Sequence, residues 1–217
     1  MEGTLKISIA NEEMILHPYG AVYWIRMDMV LIADLHIGKI EHFRKSGLAV
    51  PAGIVEGNFQ RLNKVLDTFK PAHIYFLGDL FHSKKNSGWD RFFKWMETVS
   101  VPVNLILGNH DRHDLKSIPE GLINMISDLD IDRFLLSHHP EEHAGKFNIC
   151  GHIHPGVVIR GRGKSYAKNA CFAVEENRLV LPAFGVFTGL HPIDLEKCEA
   201  VYVCAEEERA KKSNLKI

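Results

Sequence analysis

Apolar positions in the first half of the chain follow two different periods. The short runs Ala21 to Met27, Met29 to Ala33, Ile74 to Leu77 and Val101 to Leu107 read as strands, the first two joined by a turn at Asp28. Between them, Ile54, Val55, Phe59, Leu62, Val65, Leu66 and Phe69 recur at helical spacing, which predicts a helix over Ala52 to Phe69 closed by Pro71. Trp89, Phe92, Phe93 and Met96 predict a second amphipathic helix. The second half is richer in strands: Phe134 to Ser137, Phe147 to Cys150, Val157 to Arg160, Cys171 to Val174, Arg178 to Leu181 and Ala200 to Val203. Helices between strands early, then mostly strands, predict an α/β sandwich built on mixed sheets.

A length of 217 residues suits one sizeable domain, read here as residues 1–205. Residues 206–217 are charged and read as a mobile C-terminal tail. A hydrophobic share of 46% with 24% charged residues is that of a soluble globular protein. The net charge of -1 excludes a global basic field, so any polyanion must be bound by local patches or metal ions. No apolar run is long enough to span a bilayer, and Met1 to Lys6 lacks a signal-peptide core. The expected location is cytoplasmic, with no membrane partner. Cys150, Cys171, Cys198 and Cys204 have no C-x-x-C spacing and read as buried free thiols.

The 13 histidines are more than such a chain needs for its core, and they cluster. Five polar groups each follow a predicted strand: Asp34-Leu35-His36, Gly78-Asp79-Leu80-Phe81-His82, Gly108-Asn109-His110-Asp111, Ser137-His138-His139-Pro140 and Gly151-His152-Ile153-His154. In open α/β sheets the ligand crevice lies outside the carboxyl ends of the strands. In extended chain, residues i and i+2 face the same side, so Asp34 with His36, and His152 with His154, can each grip one ion. By the same rule only one of His138 and His139 faces the site. Gly78, Gly108 and Gly151 let the backbone come close to a bound group. Asp34, His36, Asp79, Asn109, His138, His152 and His154 make seven N and O donors without a thiolate. That exceeds one tetrahedral site and fits two ions sharing a carboxylate. Such donors suit Mn, Fe or Zn rather than Ca. Two ions roughly 3.5–4 Å apart clamp an in-line displacement at phosphorus.

The order D-x-H, G-D-x-x-H, G-N-H-D, H, G-H-x-H, from Asp34 to His154, resembles the calcineurin-like metallophosphoesterase superfamily. The resemblance implies a four-layer αββα sandwich, two mixed sheets flanked by helices. It implies a first metal on Asp34, His36, Asp79 and His154, and a second on Asp79, Asn109, His138 and His152, with Asp79 bridging. His110 would contact the phosphate and assist the leaving oxygen. Many of these phosphatases carry Asp three residues after the bridging Asp, where this chain has His82, as in the branch of double-strand-break repair nucleases. His82 then orients His110, touches substrate, or is structural. Ala33 to Lys39, Phe43-Arg44, Gly47, Val50-Pro51 and Leu181 to Gly189 resemble more narrowly the DNA-ligase-associated metallophosphoesterases of PdeM type. That resemblance implies a Mn-dependent phosphodiesterase tied to bacterial DNA repair, with a DNA ligase as a functional associate.

The leading expectation is therefore a dinuclear phosphodiesterase acting on nucleic acid or cyclic nucleotides. A phosphomonoesterase or nucleotidase on the same metals is the alternative, and a non-catalytic scaffold the third reading. Lys39, Arg44 and Arg112 are candidate substrate-binding cations, with Lys84 and Lys85 on the same rim. Gly161 to Ser165 ends in "GKS" but lacks the first P-loop glycine, since Val158 stands there, and reads as a basic loop. Phe184 and Phe187 are core residues or a stacking surface for a base. His17, His42, His73, His143 and His191 read as structural or solvated.

Overall fold

The computed structural model describes residues 3–50, 53–160 and 166–204. The first sheet runs β1 Leu5–Ile9, β2 Glu12–Leu16, β3 Val22–Trp24, β4 Met29–Ile32, β5 His73–Leu77, β6 Val103–Ile106 and β7 Asn124–Ile126, adjacent in that order. Its first four strands pair antiparallel and the last four parallel. Helices α1 Lys39–Lys45, α2 Gly53–Phe69 and α3 Ser87–Met96 fall between β4 and β6. The second sheet comprises β8 Leu129–Ile131, β9 Phe134–Leu136, β10 Phe147–Cys150, β11 Pro155–Arg160, β12 Tyr166–Glu175, β13 Arg178–Val180, β14 His191–Pro192 and β15 Ala200–Val203. Its order is β14-β11-β12-β13-β10-β9-β8, with β15 beside β12.

Strands β4 to β6 are apolar on both faces because each face meets a different layer. Val30, Ile32, Ile74, Phe76, Val103 and Leu105 pack with Leu62, Val65, Trp89 and Phe92 of α2 and α3. Met29, Leu31, Leu77 and Ile106 point the other way, onto Phe134, Leu136, Ile149 and Leu179 of the second sheet. This alternation produces the face-to-face pair of mixed sheets that the sequence predicts. The outer face of the second sheet carries no α-helix among the described residues. Ile193 and Cys198, flanking the 3-10 turn Leu195–Lys197, cover it instead.

Several elements differ from the sequence reading. Predicted strand Ala21 to Met27 shortens to β3 because Asp28 N donates to Ile25 O (3.2 Å) and folds the chain back. The hairpin β1–β2 turns at Ala10 and Asn11, both at positive φ, and was not expected. Helix α1 is too short to show a period, and α3 starts at Ser87, capped by Asn86 Oδ1 accepting from Gly88 N (2.9 Å). Of the four thiols only Cys150 and Cys171 are buried, while Cys198 and Cys204 are half-buried, so the expectation of four buried cysteines fails at the edge β15 provides. The basic loop at Gly161 to Ser165 and the tail at 206–217 lie outside the described residues.

His17 is a core histidine. Its Nδ1 accepts from Tyr19 N (3.2 Å), and its ring packs on Tyr19 and Phe69. Burial first, then the Lys64 charge, pushes its pKa down to about 4. The unfolded chain, with an ordinary imidazole near 6.5, therefore takes up the proton first. His17 costs no stability above about pH 6.5 and destabilises the fold progressively as pH falls toward about 4. Denaturant unfolding at pH 7 and pH 4.5 should show the wild type losing about 2 kcal/mol more than His17→Asn, whose Oδ1 can still accept from Tyr19 N. Equal losses in the two proteins would remove His17 as the buried neutral group.

Candidate metal centre

Parallel strands β4, β5 and β6 end side by side, and their tips carry Asp34, Asp79, and Asn109 with His110. Strands β9 and β10, parallel in the second sheet, end at His138 and at His152 and His154. The two sheets are joined at this end. Phe184 N donates to Ala33 O (2.9 Å), Gly185 N to Asp34 O (3.2 Å), and His152 N to Asp34 Oδ2 (2.9 Å). The seven expected donor residues and His110 thus converge on one place.

They do so by a route the sequence reading missed. Asp34, His36, Asp79, His152 and His154 all have left-handed backbone, with φ of 55°, 52°, 49°, 66° and 52°. The D-x-H and H-x-H pairs are therefore not continuations of extended strand, and the pleat does not align them. Each non-glycine residue held this way costs about 1–3 kcal/mol and persists only where neighbours enforce it. Asp34 N donates to Gly78 O (3.2 Å) and His36 N to Asp79 O (2.9 Å), which tie one loop to the next.

Two groups of donor atoms result. In one, His154 Nε2 lies 3.3 Å from Asp34 Oδ1 and 3.3 Å from His36 Nε2. In the other, His138 Nε2 lies 3.1 Å from Asn109 Oδ1, 3.2 Å from His152 Nδ1 and 3.4 Å from Asp79 Oδ1. Asp34, Asp79 and His138 also place donors within 4.8 Å of one another, which links the groups. His138 Nδ1 donates to Leu77 O (3.0 Å), so its Nε2 lone pair faces inward. Burial, then the Lys39 charge, pushes the His36 pKa down to about 2 and keeps that imidazole neutral. Burial opposes ionisation of Asp79, but His138 and the His110 N–H outweigh it and hold the carboxyl below the usual range.

The donor set fits divalent cations. Asp34 is fully buried, and its Oδ1 has no hydrogen-bond partner; His36 Nδ1 is likewise unpartnered. Among the described residues neither Asp34 nor Asp79 pairs with Lys or Arg. Buried carboxylates without such pairing are costly unless they coordinate a metal.

The glycines press against the donors. A Cβ on Gly78, at φ 77°, would overlap the His138 ring, and one on Gly108 would overlap the Asp79 carboxylate. On Gly151 it would lie 2.6 Å from Asp34 Oδ2.

His110 Nδ1 donates to His82 O (2.9 Å), leaving Nε2 toward the centre, 4.0 Å from Asp79 Oδ2. The group that orients this imidazole is thus the carbonyl of His82, and not its side chain. The His82 ring lies nearly parallel to His110 at 4.9 Å, and burial pushes its pKa down to about 4. Asp111 was not singled out, and its role is bracing: fully buried, it accepts from Phe81 N and Gly108 N (both 2.9 Å), locking the β5 loop to the β6 loop. Its position in G-N-H-D was the one available signal.

Of the candidate cations, Lys39 is half-buried; desolvation depresses its pKa against the opposing pull of Asp34 and Asp79. Arg44 donates through Nε and Nη2 to Val50 O (3.2 and 2.9 Å), a loop contact. Arg112 is exposed on the 3-10 turn Asp111–His113. Lys84 and Lys85 are exposed, and Lys85 pairs with Asp90 (3.4 Å). His138 is buried as the face of the site, yet His139, exposed, keeps its ring 4.1 Å from His152 and stands at the rim. Phe184 is fully buried core, whereas Phe187 is 37% exposed.

The family model of calcineurin-like phosphoesterases matches residues 27–156, more than half the chain and every donor described above. The chain belongs to the calcineurin-like phosphoesterase family. The crystal structure of Pseudomonas putida nuclease MPE is similar at a TM-score of 0.80 and 29% identity, covering 93% of this chain and 96% of that one. A protein of unknown function from Aquifex aeolicus, AQ665, is 20% identical with a TM-score of 0.42, over 63% of this chain and 82% of that one. No curated protein matches the sequence. Calcineurin-like phosphoesterases bind two divalent metals, and the two linked donor groups fit such a centre. Family membership makes this chain a metal-dependent phosphoesterase.

Gly108→Ala should weaken divalent-metal binding by about 10–100-fold, because its methyl displaces the Asp79 carboxylate. Gly57→Ala, whose Cβ would meet only Val186 Cγ1 at 3.9 Å, is the control. Titration calorimetry of the chelated proteins reads both, and wild-type affinity in Gly108→Ala would contradict the close approach.

Proposed function

We propose that this phosphoesterase is a dinuclear phosphodiesterase that hydrolyses nucleic-acid diesters, with Mn as its metal. The observation that carries the reading is the pair of linked donor groups with the Nε2 of His110 at their edge. Asp34, His36, Asp79 and His154 would hold one ion, and Asp79, Asn109, His138 and His152 the other. Both ions, when bound, would supply Lewis acidity for the phosphoryl oxygens and an ionised water at neutral pH. His110 meets the phosphate through Nε2, and in its charged form gives that proton to the leaving oxygen while Nδ1–H stays on the His82 carbonyl. Lys39 adds positive charge beside Asp34 and Asp79. The nuclease from Pseudomonas putida, similar over nearly the full length of both chains, supports diesters over monoesters. The motifs shared with DNA-ligase-associated enzymes support a cytoplasmic role in bacterial DNA repair alongside a ligase.

Asp79 is the proposed shared carboxylate, while Asp34 also groups with His138 and is its rival for that position. Asp79→Asn should abolish metal-dependent diester turnover and reduce bound metal from two equivalents toward none. Asp34→Asn should retain one equivalent. Mass spectrometry of metal content with diester kinetics reads both, and equal metal loss in the two variants would deny Asp79 its shared position.

A single strand, a duplex end, a cyclic nucleotide, a dye diester and a dye monoester, each with Mn and with chelator, test the reaction class. Chelator-sensitive turnover of diesters is expected. Turnover of the monoester alone would assign the centre to a phosphomonoesterase.

A further inference from the structure

A row of aromatic rings leads from the metal centre to the surface. His110 and His82 lie nearly parallel at 4.9 Å, and His82 and Phe43 nearly parallel at 6.2 Å. Phe43 then meets Phe187 edge-on at 5.7 Å. Phe43 is half-buried, Phe187 is 37% exposed, and Leu48, whose N donates to Phe43 O (3.1 Å), is 53% exposed. The row therefore begins on the imidazole that faces the phosphate and ends on an open ring.

Single exposed hydrophobic residues are ordinary on protein surfaces. The mounting of Phe187 is not. Gly185 N donates to the carbonyl of Asp34 (3.2 Å), and Val186 N donates to Oδ1 of buried Asn58 (3.0 Å). Thr188 Oγ1 donates to Gly185 O (2.7 Å) and closes the turn that presents the ring. The loop passes so near Leu35 O that a Cβ on Gly185 would collide with it. An exposed ring is thus fastened, through the backbone of Gly185 two residues before it, to a carboxylate residue of the centre.

We propose that Phe187, braced edge-on by Phe43, offers its ring face as a stacking platform for one unpaired nucleobase of the substrate strand, close to the diester that is cut. The proposal rests on the phosphodiesterase reading and narrows it to single strands or frayed ends. Bases inside a duplex are stacked on each other and cannot offer a face to this platform. A base stacked on a protein ring contributes affinity that is tolerant of sequence. Phe43 shares its short helix with Lys39, Arg44 and Lys45, so a strand whose base lies on the rings brings its phosphates toward positive charge. In a chain of net charge -1, such local contacts must supply the hold on a polyanion. Phe184 takes no part, since it is buried among the helices of the first sheet.

The test compares an all-thymidine strand with an equally charged, equally long all-abasic strand on the Mn-loaded enzyme. Wild type should show a KM about tenfold lower for the thymidine strand, and Phe187→Ala should remove most of that preference. Phe187→Trp should keep it. Fluorescence anisotropy of the same strands on the chelated protein should show the same loss in Phe187→Ala without any chemistry. If Phe187→Ala keeps the wild-type preference, or weakens both strands equally, the platform is wrong and the diesterase reading stands. If wild type cuts neither strand yet turns over a monoester, the diesterase reading fails and the platform with it.

Discussion

Everything at the functional end of this protein answers to one constraint: two carboxylates, Asp34 and Asp79, are buried with no lysine or arginine among the described residues paired to them. Backbone N–H groups and the His138 imidazole offset part of that cost, and a coordinated cation would offset the rest. Two of the imidazoles around it are prepared as donors in different ways. His138 is fixed as a tautomer by Leu77 O, and His36 is kept neutral by burial. The site is thus an unbalanced negative cluster inside a protein of nearly neutral net charge, and the calcineurin-like fold holds it at the junction of two sheets.

Holding it there strains the backbone. Five of the donor residues sit at positive φ, three glycines admit no side chain, and fully buried Asp111 cross-links two loops. These features form one device. The left-handed turns aim the side chains inward, the glycines let neighbouring strands close on them, and Asp111 fixes the spacing between the β5 and β6 tips. The sheets themselves show ordinary two-faced packing.

Legibility followed periodicity and chemistry. Helix α2, α3, strands β4 to β6 and most of the second sheet were readable because long apolar stretches keep one period. Helix α1, with seven residues, and strands β7 and β8, with Asn124, Asp130 and other partly exposed positions, have no such signal. The donor residues were readable because Asp, His and Asn after an apolar run have no core role. Their geometry was not: the inference from pleated strands reached the right residues by a mechanism the left-handed backbone replaces. His82 shows the same limit, since its useful atom is a carbonyl, which any residue would carry.

By itself the sequence determined which residues could bind a metal, that they follow strand ends, and that all seven expected donors stand in order from Asp34 to His154. Those are statements about residue type and order, and local chemistry suffices for them. Only the tertiary structure decided that His139 stands at the rim beside His152, that Asp111 braces, and that Phe187 rather than Phe184 is presented to solvent. Each of these depends on contacts between segments far apart in the chain, from Asn58 to Val186 or Asp34 to His152, whose pairing no local pattern encodes.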